Sequence, residues 1–216
     1  MLEQTTVNTN NPLQPLWRSL ESGTIPPTIQ LQAQILLGCL AVLWGLELVD
    51  SLLLRGAFNS FGIRPRKLIG LRGILLAPLL HGNLRHLAAN TVPFLILGGL
   101  VMLRGLNDFL IVTAVAWLVS GTGVWLFASP RSNHIGASGV VFGYFGFLLL
   151  RGYFERSLIA IAISILVGLL YGSLIWGVLP IRRGVSWLGH LFGFGGGVLA
   201  ARYLLELKNW VISITY

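Results

Sequence analysis

The sequence predicts an all-α membrane protein, a bundle of six transmembrane helices with a short, central fourth helix. Hydrophobic residues make up 55% of the 216-residue chain and charged residues only 10%, against about a quarter in an average soluble domain. Long apolar runs recur along the chain, and about 20 apolar residues are needed to cross a bilayer. About six such runs would use most of the chain, so we expect no separate soluble domain.

The net charge of +8 does not indicate a nucleic-acid partner. The basic residues lie singly or in short clusters between apolar runs, where anchoring at the lipid interface explains them. A single cysteine, Cys39, excludes an intramolecular disulfide. A metalloprotease is disfavoured because there is no H-E-x-x-H motif, and His81 and His86 are five residues apart, off a shared helical face. We expect no metal and no cofactor.

Three regions are predicted: residues 1–30, 31–207 and 208–216. The first is polar and proline-containing, with no cleavable signal sequence, and predicts a flexible tail that leaves the first span in place. The second is the six-helix membrane domain, and the third is a short C-terminal tail. Within the first span, Leu31–Leu54, Glu47 and Asp50 share one helical face. Acids inside a membrane are often functional, but their place near the end of the run favours an interfacial position.

Residues 55–80 are too apolar for a solvated loop and too broken for a span, which favours a segment lying partly embedded at the interface. The helix that follows carries His86 and Asn90 and ends near Arg104. These two polar side chains are four residues apart on one face, so they must face protein or a water-filled pocket. Interhelical hydrogen bonding is the alternative role for them.

A third span, Leu110–Phe127, is preceded by the expected helix cap Asn107-Asp108 and followed by the loop 128–137. The fourth helix is predicted over Ser138–Leu150, about 20 Å long at 1.5 Å per residue. That is too short for a hydrocarbon core of about 30 Å. If Arg151 anchors its far end, Ser138 lies below the opposite membrane surface, at the bottom of a cavity.

The fifth and sixth spans are predicted over Ser157–Val178 and from Trp187 to about Leu205. The sixth places three glycines at i, i+4 and i+8, which allows close approach by a neighbouring helix. These are Gly189, Gly193 and Gly197, and their expected partners are Gly139 and Gly143. Such contact would bring His190 towards Ser138. A glycine-flanked serine beside a histidine suggests a nucleophile and its general base.

Three motifs in this order resemble the rhomboid family of intramembrane serine proteases. They are H-x4-H-x3-N (His81, His86, Asn90), G-A-S-G-V-V-F-G (Gly136 to Gly143) and G-H-x2-G-x3-G (Gly189 to Gly197). The resemblance covers roughly residues 31–207. Each motif alone is weak, whereas three in order on the expected helices form a strong signal.

The resemblance implies a role for each matching residue. Ser138 would be the nucleophile and His190 its general base, in a dyad without aspartate. His86, Asn90 and the Ser138 backbone N–H would bind the oxyanion. The expected supporting residues are His81, Gly136, Gly139, Phe142, Gly193 and Gly197, the glycines through close packing and His81 through a structural contact.

The sequence departs from the family pattern at two points. No tryptophan occurs between Trp44 and Trp117, where many members carry a Trp-Arg pair. Phe142 stands where many members have a tyrosine, so the ring is kept without its hydroxyl. We expect the orientation that the family implies, in a bacterial inner membrane. The N-terminus would be cytoplasmic and the Ser138 end would face outside. The positive-inside rule favours the reverse orientation on raw count.

The resemblance implies an endopeptidase whose partners are transmembrane protein substrates and the lipid bilayer. Two alternatives remain open. A non-catalytic binder of transmembrane helices could use the same fold, and a small-solute transporter could use His86, Asn90 and Ser138 as a polar pathway. The transporter predicts broken helices repeated in two halves, which the sequence does not contain.

Overall fold

A computed structural model describes residues 25–181 and 184–215, without the side chain of Thr215. Most of the predicted N-terminal tail therefore lies outside the described residues. Within those ranges the backbone forms α-helices and short 3-10 or π-helical turns without a β-strand, so the all-α prediction is confirmed. The helices are α1 (Pro27–Val49), α2 (Arg72–Leu76), α3 (Leu84–Met102), α4 (Leu106–Phe127), α5 (Ser138–Glu155), α6 (Leu158–Tyr171) and α7 (Trp187–Thr215).

Four helical segments of the described ranges are long and apolar enough to cross a membrane. They are Pro27–Leu54, Leu84–Met102, Leu106–Phe127 and Leu158–Val178. The other two long helices, α5 and α7, are rich in glycine and pack against each other. The six long segments form the predicted membrane bundle, with the serine on the fourth.

The first span begins at Pro27, four residues before the predicted start, and a π-helical turn over Asp50–Leu54 follows α1. Glu47 and Asp50 are each only 3% exposed, so both are enclosed by protein, and their interfacial position stays a prediction. Glu47 accepts a hydrogen bond from Ser51 Oγ at 2.6 Å. Asp50 accepts one from the Phe58 amide at 2.9 Å. Since buried carboxylates need such partners, the two acids hold the end of the first span together.

The segment 55–80 consists of α2 and three 3-10 turns, Ala57–Phe61, Leu68–Gly70 and Ala77–Leu79. It exposes five large apolar side chains (Phe61, Leu68, Ile69, Leu71 and Leu75) next to exposed basic ones (Arg66, Lys67 and Arg72). This mixture suits a lipid interface, and the interfacial position stays a prediction. A two-residue β-bridge between Ile63 and His134 joins the segment to the loop before α5.

The third span begins at Leu106, not at the predicted Leu110, and its N-cap is Gly105. The prediction of an Asn107-Asp108 cap was wrong, because Asp108 lies inside the first turn and is buried. Its carboxylate contacts Arg104 at 2.8 Å and Lys208 at 2.7 Å, which ties α4 to α7. A buried acid is held there by ion pairing, since a capping residue would have to stand before the first turn.

The fourth helix is longer than predicted, because α5 continues past Leu150 to Glu155. Arg151 does not end it: this arginine is 7% exposed and pairs with Glu155, four residues on, at 2.6 Å. The 18 residues span about 27 Å at 1.5 Å per residue, so the prediction of a helix only about 20 Å long was wrong. The depth of Ser138 in the membrane stays a prediction.

The last two spans also differ at their ends. Helix α6 gives way to a 3-10 helix, Gly172–Val178, which completes the predicted fifth span. Helix α7 runs to Thr215 with one non-helical residue, Tyr203, so the segment predicted as a C-terminal tail is helical up to there. The kink at Tyr203 falls close to the predicted end of the sixth span.

Glycines bring α5 and α7 into backbone contact. A Cβ atom at Gly193 would overlap the Gly139 carbonyl, and one at Gly197 would overlap the Gly143 carbonyl. This is the pairing that the glycine spacing predicts, and any side chain there would push the helices apart. Elsewhere on α5, the side chains of Tyr144, Phe147 and Leu148 are completely buried in the main core.

Candidate active site

A cleft of about 1220 Å³ opens between α3, the loop 128–137, the 3-10 helix 172–178 and the start of α7. Its lining includes Ser138, His190, His86, Asn90 and Phe142. The five residues come from three helices and from sequence positions up to 104 apart (His86 to His190). The fold thus gathers in one cavity residues from all three motifs.

Ser138 and His190 are hydrogen-bonded across the α5–α7 interface. His190 Nε2 lies 2.9 Å from Ser138 Oγ. Ser138 is the first residue of α5, and His190 lies in the first turn of α7. The glycine contacts between these helices explain why such a short distance between the two side chains is sterically allowed.

The other ring nitrogen of His190 fixes the direction of this hydrogen bond. His190 Nδ1 is 3.0 Å from the carbonyl oxygen of Gly177, which can only accept a hydrogen bond. In the neutral ring Nδ1 therefore carries the proton and Nε2 accepts the proton of the Ser138 hydroxyl. The Gly177 carbonyl orients the imidazole, as a buried carboxylate does in a serine-histidine-aspartate triad.

Phe142 holds the histidine ring from the side. The two rings stack with centroids 4.0 Å apart and planes 5° from parallel. A Cβ atom at Gly177 would lie 2.6 Å from Phe142 Cζ and 3.3 Å from His190 Nδ1, so glycine is needed there. The stacked Phe142 and the Gly177 carbonyl together leave His190 little rotational freedom.

His86 packs against Gly136, just before the serine. A Cβ atom on Gly136 would lie 2.7 Å from His86 Cε1, and the φ of Gly136 is +116°. An L side chain is disfavoured in this backbone region as well as by the contact. The imidazole therefore lies beside the turn that leads into Ser138.

Asn90 brings an uncommitted donor to the cleft. It is 8% exposed, and its Nδ2 is a buried atom without a hydrogen-bond partner among the described residues. Buried donors of this kind are rare and cost about 1–3 kcal/mol when unsatisfied. An unpaired amide in the cleft that Ser138 also lines is suited to a negatively charged group that arrives during a reaction.

His81 supports the backbone before the serine. Its Nε2 accepts the Ala137 amide proton at 3.3 Å, and it is 1% exposed. Burial, together with the neighbouring His86, lowers the pKa of His81 to about 4, so it is neutral at pH 7. The contact is the structural kind that the sequence predicts for this residue.

Four other groups at this site carry no sequence motif. They are the Gly177 carbonyl, Ser120, His134 and Ser186. Ser120 Oγ donates to the Gly189 carbonyl at 2.8 Å and lies where a Gly139 side chain would be. Backbone carbonyls and isolated serines form no motif that a single sequence could show. Of these four groups, only His134 could have been suspected from the sequence, because it is a polar residue four positions before Ser138. No three His, Cys, Asp or Glu side chains in the described ranges are grouped to hold a metal.

Comparison with known proteins gives a consistent picture. Residues 70–207 match the family model of the Rhomboid domain. An uncharacterized protein of Mycobacterium tuberculosis is 45% identical over 174 residues, 77% of this chain and 72% of the relative. An uncharacterized Mycobacterium leprae protein is 44% identical over 175 residues, 77% of this chain and 68% of its own. "Putative rhomboid protease YdcA" of Bacillus subtilis is 31% identical over 138 residues, 62% of this chain and 68% of its own.

Proposed function

The chain belongs to the rhomboid family of integral membrane proteins, and on that premise we propose that it is an intramembrane serine endopeptidase. The observation that carries the proposal is the hydrogen bond between His190 Nε2 and Ser138 Oγ, 2.9 Å long. With its other nitrogen bonded to the Gly177 carbonyl, the imidazole has its unprotonated atom against the hydroxyl. That is the arrangement a general base needs before it takes the serine proton.

The chemical steps follow from this geometry. His190 Nε2 removes the hydroxyl proton as Ser138 Oγ attacks the scissile carbonyl, which gives a tetrahedral intermediate with a negative oxygen. The histidinium then protonates the leaving amine, and the peptide C–N bond breaks to leave an acyl group on Ser138. Water, deprotonated by His190, attacks the ester and regenerates the serine.

The oxyanion would be bound by donors at the start of α5. The described hydrogen bonds leave the Ser138 amide unused, and it stands at the positive end of an 18-residue helix. The unpaired Asn90 Nδ2 and the His86 ring beside Gly136 are the other two candidates. Removing one such donor costs about 2.7–4 kcal/mol of transition-state stabilisation in known hydrolases.

The cleft suggests how water and substrate reach the dyad. Hydrolysis needs water, which a bilayer core lacks, and a cavity of this size with polar lining could hold it. A helical substrate must unwind locally, since its carbonyls are already hydrogen-bonded. We therefore expect transmembrane helices with small or helix-breaking residues near one membrane surface as substrates. The relatives named above are bacterial, which supports a position in a bacterial inner membrane.

Labelling with a fluorophosphonate tests the proposal. The reagent forms a covalent bond only with an activated serine, so we expect wild-type protein to be modified at Ser138. Ser138→Ala should remove the labelling, and His190→Ala should slow it by at least a hundredfold. Ser213→Ala, at an exposed serine in the far part of α7, is the matched control and should label like wild type.

Two results would contradict the proposal. Labelling that persists in Ser138→Ala would show that another serine reacts. Wild-type protein that is folded but never labelled, and that cleaves no transmembrane peptide, would favour the non-catalytic binder of transmembrane helices. Binding of such a peptide without cleavage would then be the expected finding.

A further inference from the structure

His134 connects the loop before α5 to the start of α7 through its ring. Its Nε2 lies 2.8 Å from Ser132 Oγ, and its Nδ1 lies 2.7 Å from Ser186 Oγ. The Ser132 hydroxyl already donates its proton to the Ser129 carbonyl at 2.6 Å. Ser132 must therefore accept from His134 Nε2–H, and the unprotonated Nδ1 must accept from the Ser186 hydroxyl. Burial lowers the pKa of His134, which favours this neutral ring.

Ser186 in turn begins the helix that carries His190. Its backbone carbonyl accepts the His190 amide at 3.0 Å, the first hydrogen bond of α7. Gly189 leaves room for it, because a Cβ atom there would lie 2.8 Å from Ser186 Oγ. A shift of Ser186 would therefore move the first turn of α7 and the imidazole with it.

The same spacing occurs on both sides of this contact. His134 precedes Ser138 by four residues, and Ser186 precedes His190 by four. The outer pair, His134 and Ser186, is joined at 2.7 Å, and the inner pair, Ser138 and His190, at 2.9 Å. The backbone of His134 is itself fixed, since it exchanges two hydrogen bonds with Ile63 at 2.9 and 3.0 Å.

We propose that His134 is a positioning residue, whose hydrogen bond with Ser186 sets the distance between Ser138 and His190. The proposal rests on the proposed function, because its effect is read through the reactivity of Ser138. His134 acts through Ser186 and the first turn of α7, while the reacting atoms are those of the inner pair. The Ser132 contact serves to fix the tautomer that makes Nδ1 the acceptor.

Two conservative substitutions separate the two ring nitrogens. His134→Asn keeps an acceptor near the Nδ1 position and should preserve the contact with Ser186. His134→Gln keeps a polar group near the Nε2 position and should lose that contact, as should Ser186→Ala. We expect about a tenfold lower kcat and fluorophosphonate labelling rate for His134→Gln and Ser186→Ala, with KM unchanged, and values within twofold of wild type for His134→Asn. The double variant His134→Gln/Ser186→Ala should be no worse than either single variant.

The measurements distinguish positioning from mere support of the fold. Each variant is compared with wild type in thermal midpoint, kcat, KM and labelling rate. Equal kcat in wild type and His134→Gln, or full additivity in the double variant, would overturn the proposal and leave the protease assignment intact. If His134→Asn loses stability and activity as much as His134→Gln does, the residue is structural and the proposal fails. If wild type itself is not labelled at Ser138, the proposed function fails first.

Discussion

Replacing Gly136 by alanine should impair the proposed oxyanion site without unfolding the protein. The new Cβ atom would stand 2.7 Å from His86 Cε1, and ordinary contact begins near 3.4 Å. The imidazole must therefore retreat by about 0.7 Å, and a misplacement of about 1 Å can cost 10²-fold in rate. The φ of +116° adds a backbone strain of about 1–3 kcal/mol. We expect kcat to fall about a hundredfold.

A matched control separates strain from displacement. Gly105 has a similar φ, +124°, but a Cβ atom there would meet nothing within 4 Å. Gly105→Ala should thus lower the thermal midpoint like Gly136→Ala and keep its kcat. The assay is cleavage of a fluorogenic transmembrane peptide in proteoliposomes. It is repeated in a His86→Ala background, where adding Gly136→Ala should lower kcat by less than about threefold. Wild-type kcat in Gly136→Ala, at a midpoint matching the control, would refute the reasoning.

Three further predictions follow from single contacts. Asn90→Ala should lower kcat by about 10²–10³ with little change in KM, because it removes a proposed oxyanion donor, and undiminished cleavage would exclude that role. Gly197→Ala should destabilise the protein by about 1–3 kcal/mol or more, because its Cβ atom would overlap the Gly143 carbonyl. Gly195→Ala on the same helix is the control and should be neutral, since a Cβ atom there meets nothing within 4 Å. Equal thermal midpoints for the two variants would contradict this prediction. The pKa of His81 drops from 6.5 to about 4 on folding, so as the pH falls the unfolded chain takes up a proton before the folded chain does. The free energy of unfolding should therefore decline by up to about 3 kcal/mol between about pH 6.5 and pH 4. The pH dependence of the thermal midpoint should be flatter in His81→Gln, and parallel curves for the two proteins would contradict the assignment.

The elements that follow from local pattern were predicted from the sequence. Apolar runs gave the long helices, and the glycine spacing gave the α5–α7 contact that joins Ser138 to His190. These features depend on residues three or four positions apart on one helix, so a single sequence contains them. The family motifs added the expectation for His86 and Asn90, which both line the cleft.

Two of the errors, at Arg151 and Asp108, share a physical cause, which is neutralisation of a charge by an oppositely charged side chain. Arg151 looked like a helix end, but Glu155 pairs with it one turn later and allows α5 to continue. Asp108 looked like a cap, but it is buried against Lys208, 100 residues away. A charged residue in an apolar run is read as a boundary unless its partner is known, and the pairing of Asp108 with Lys208 is known only from the fold.

The contributions that the sequence did not reveal come from backbone and from loops. The Gly177 carbonyl orients His190 without any side chain of its own. The contact between His134 and Ser186 joins two loops 52 residues apart. Neither has a periodicity or motif, so only the three-dimensional arrangement could identify them.

The carbonyl contacts between α5 and α7 also have a mechanical consequence. Two helices that touch through their backbones cannot slide past each other without steric overlap, so we expect this wall of the cleft to stay fixed. If the protein is the proposed protease, we expect a peptide to enter through a movement of α3 or of the 172–178 segment. A covalent tether between those two elements should stop proteolysis in the bilayer, while a tether between α5 and α7 should leave it unchanged.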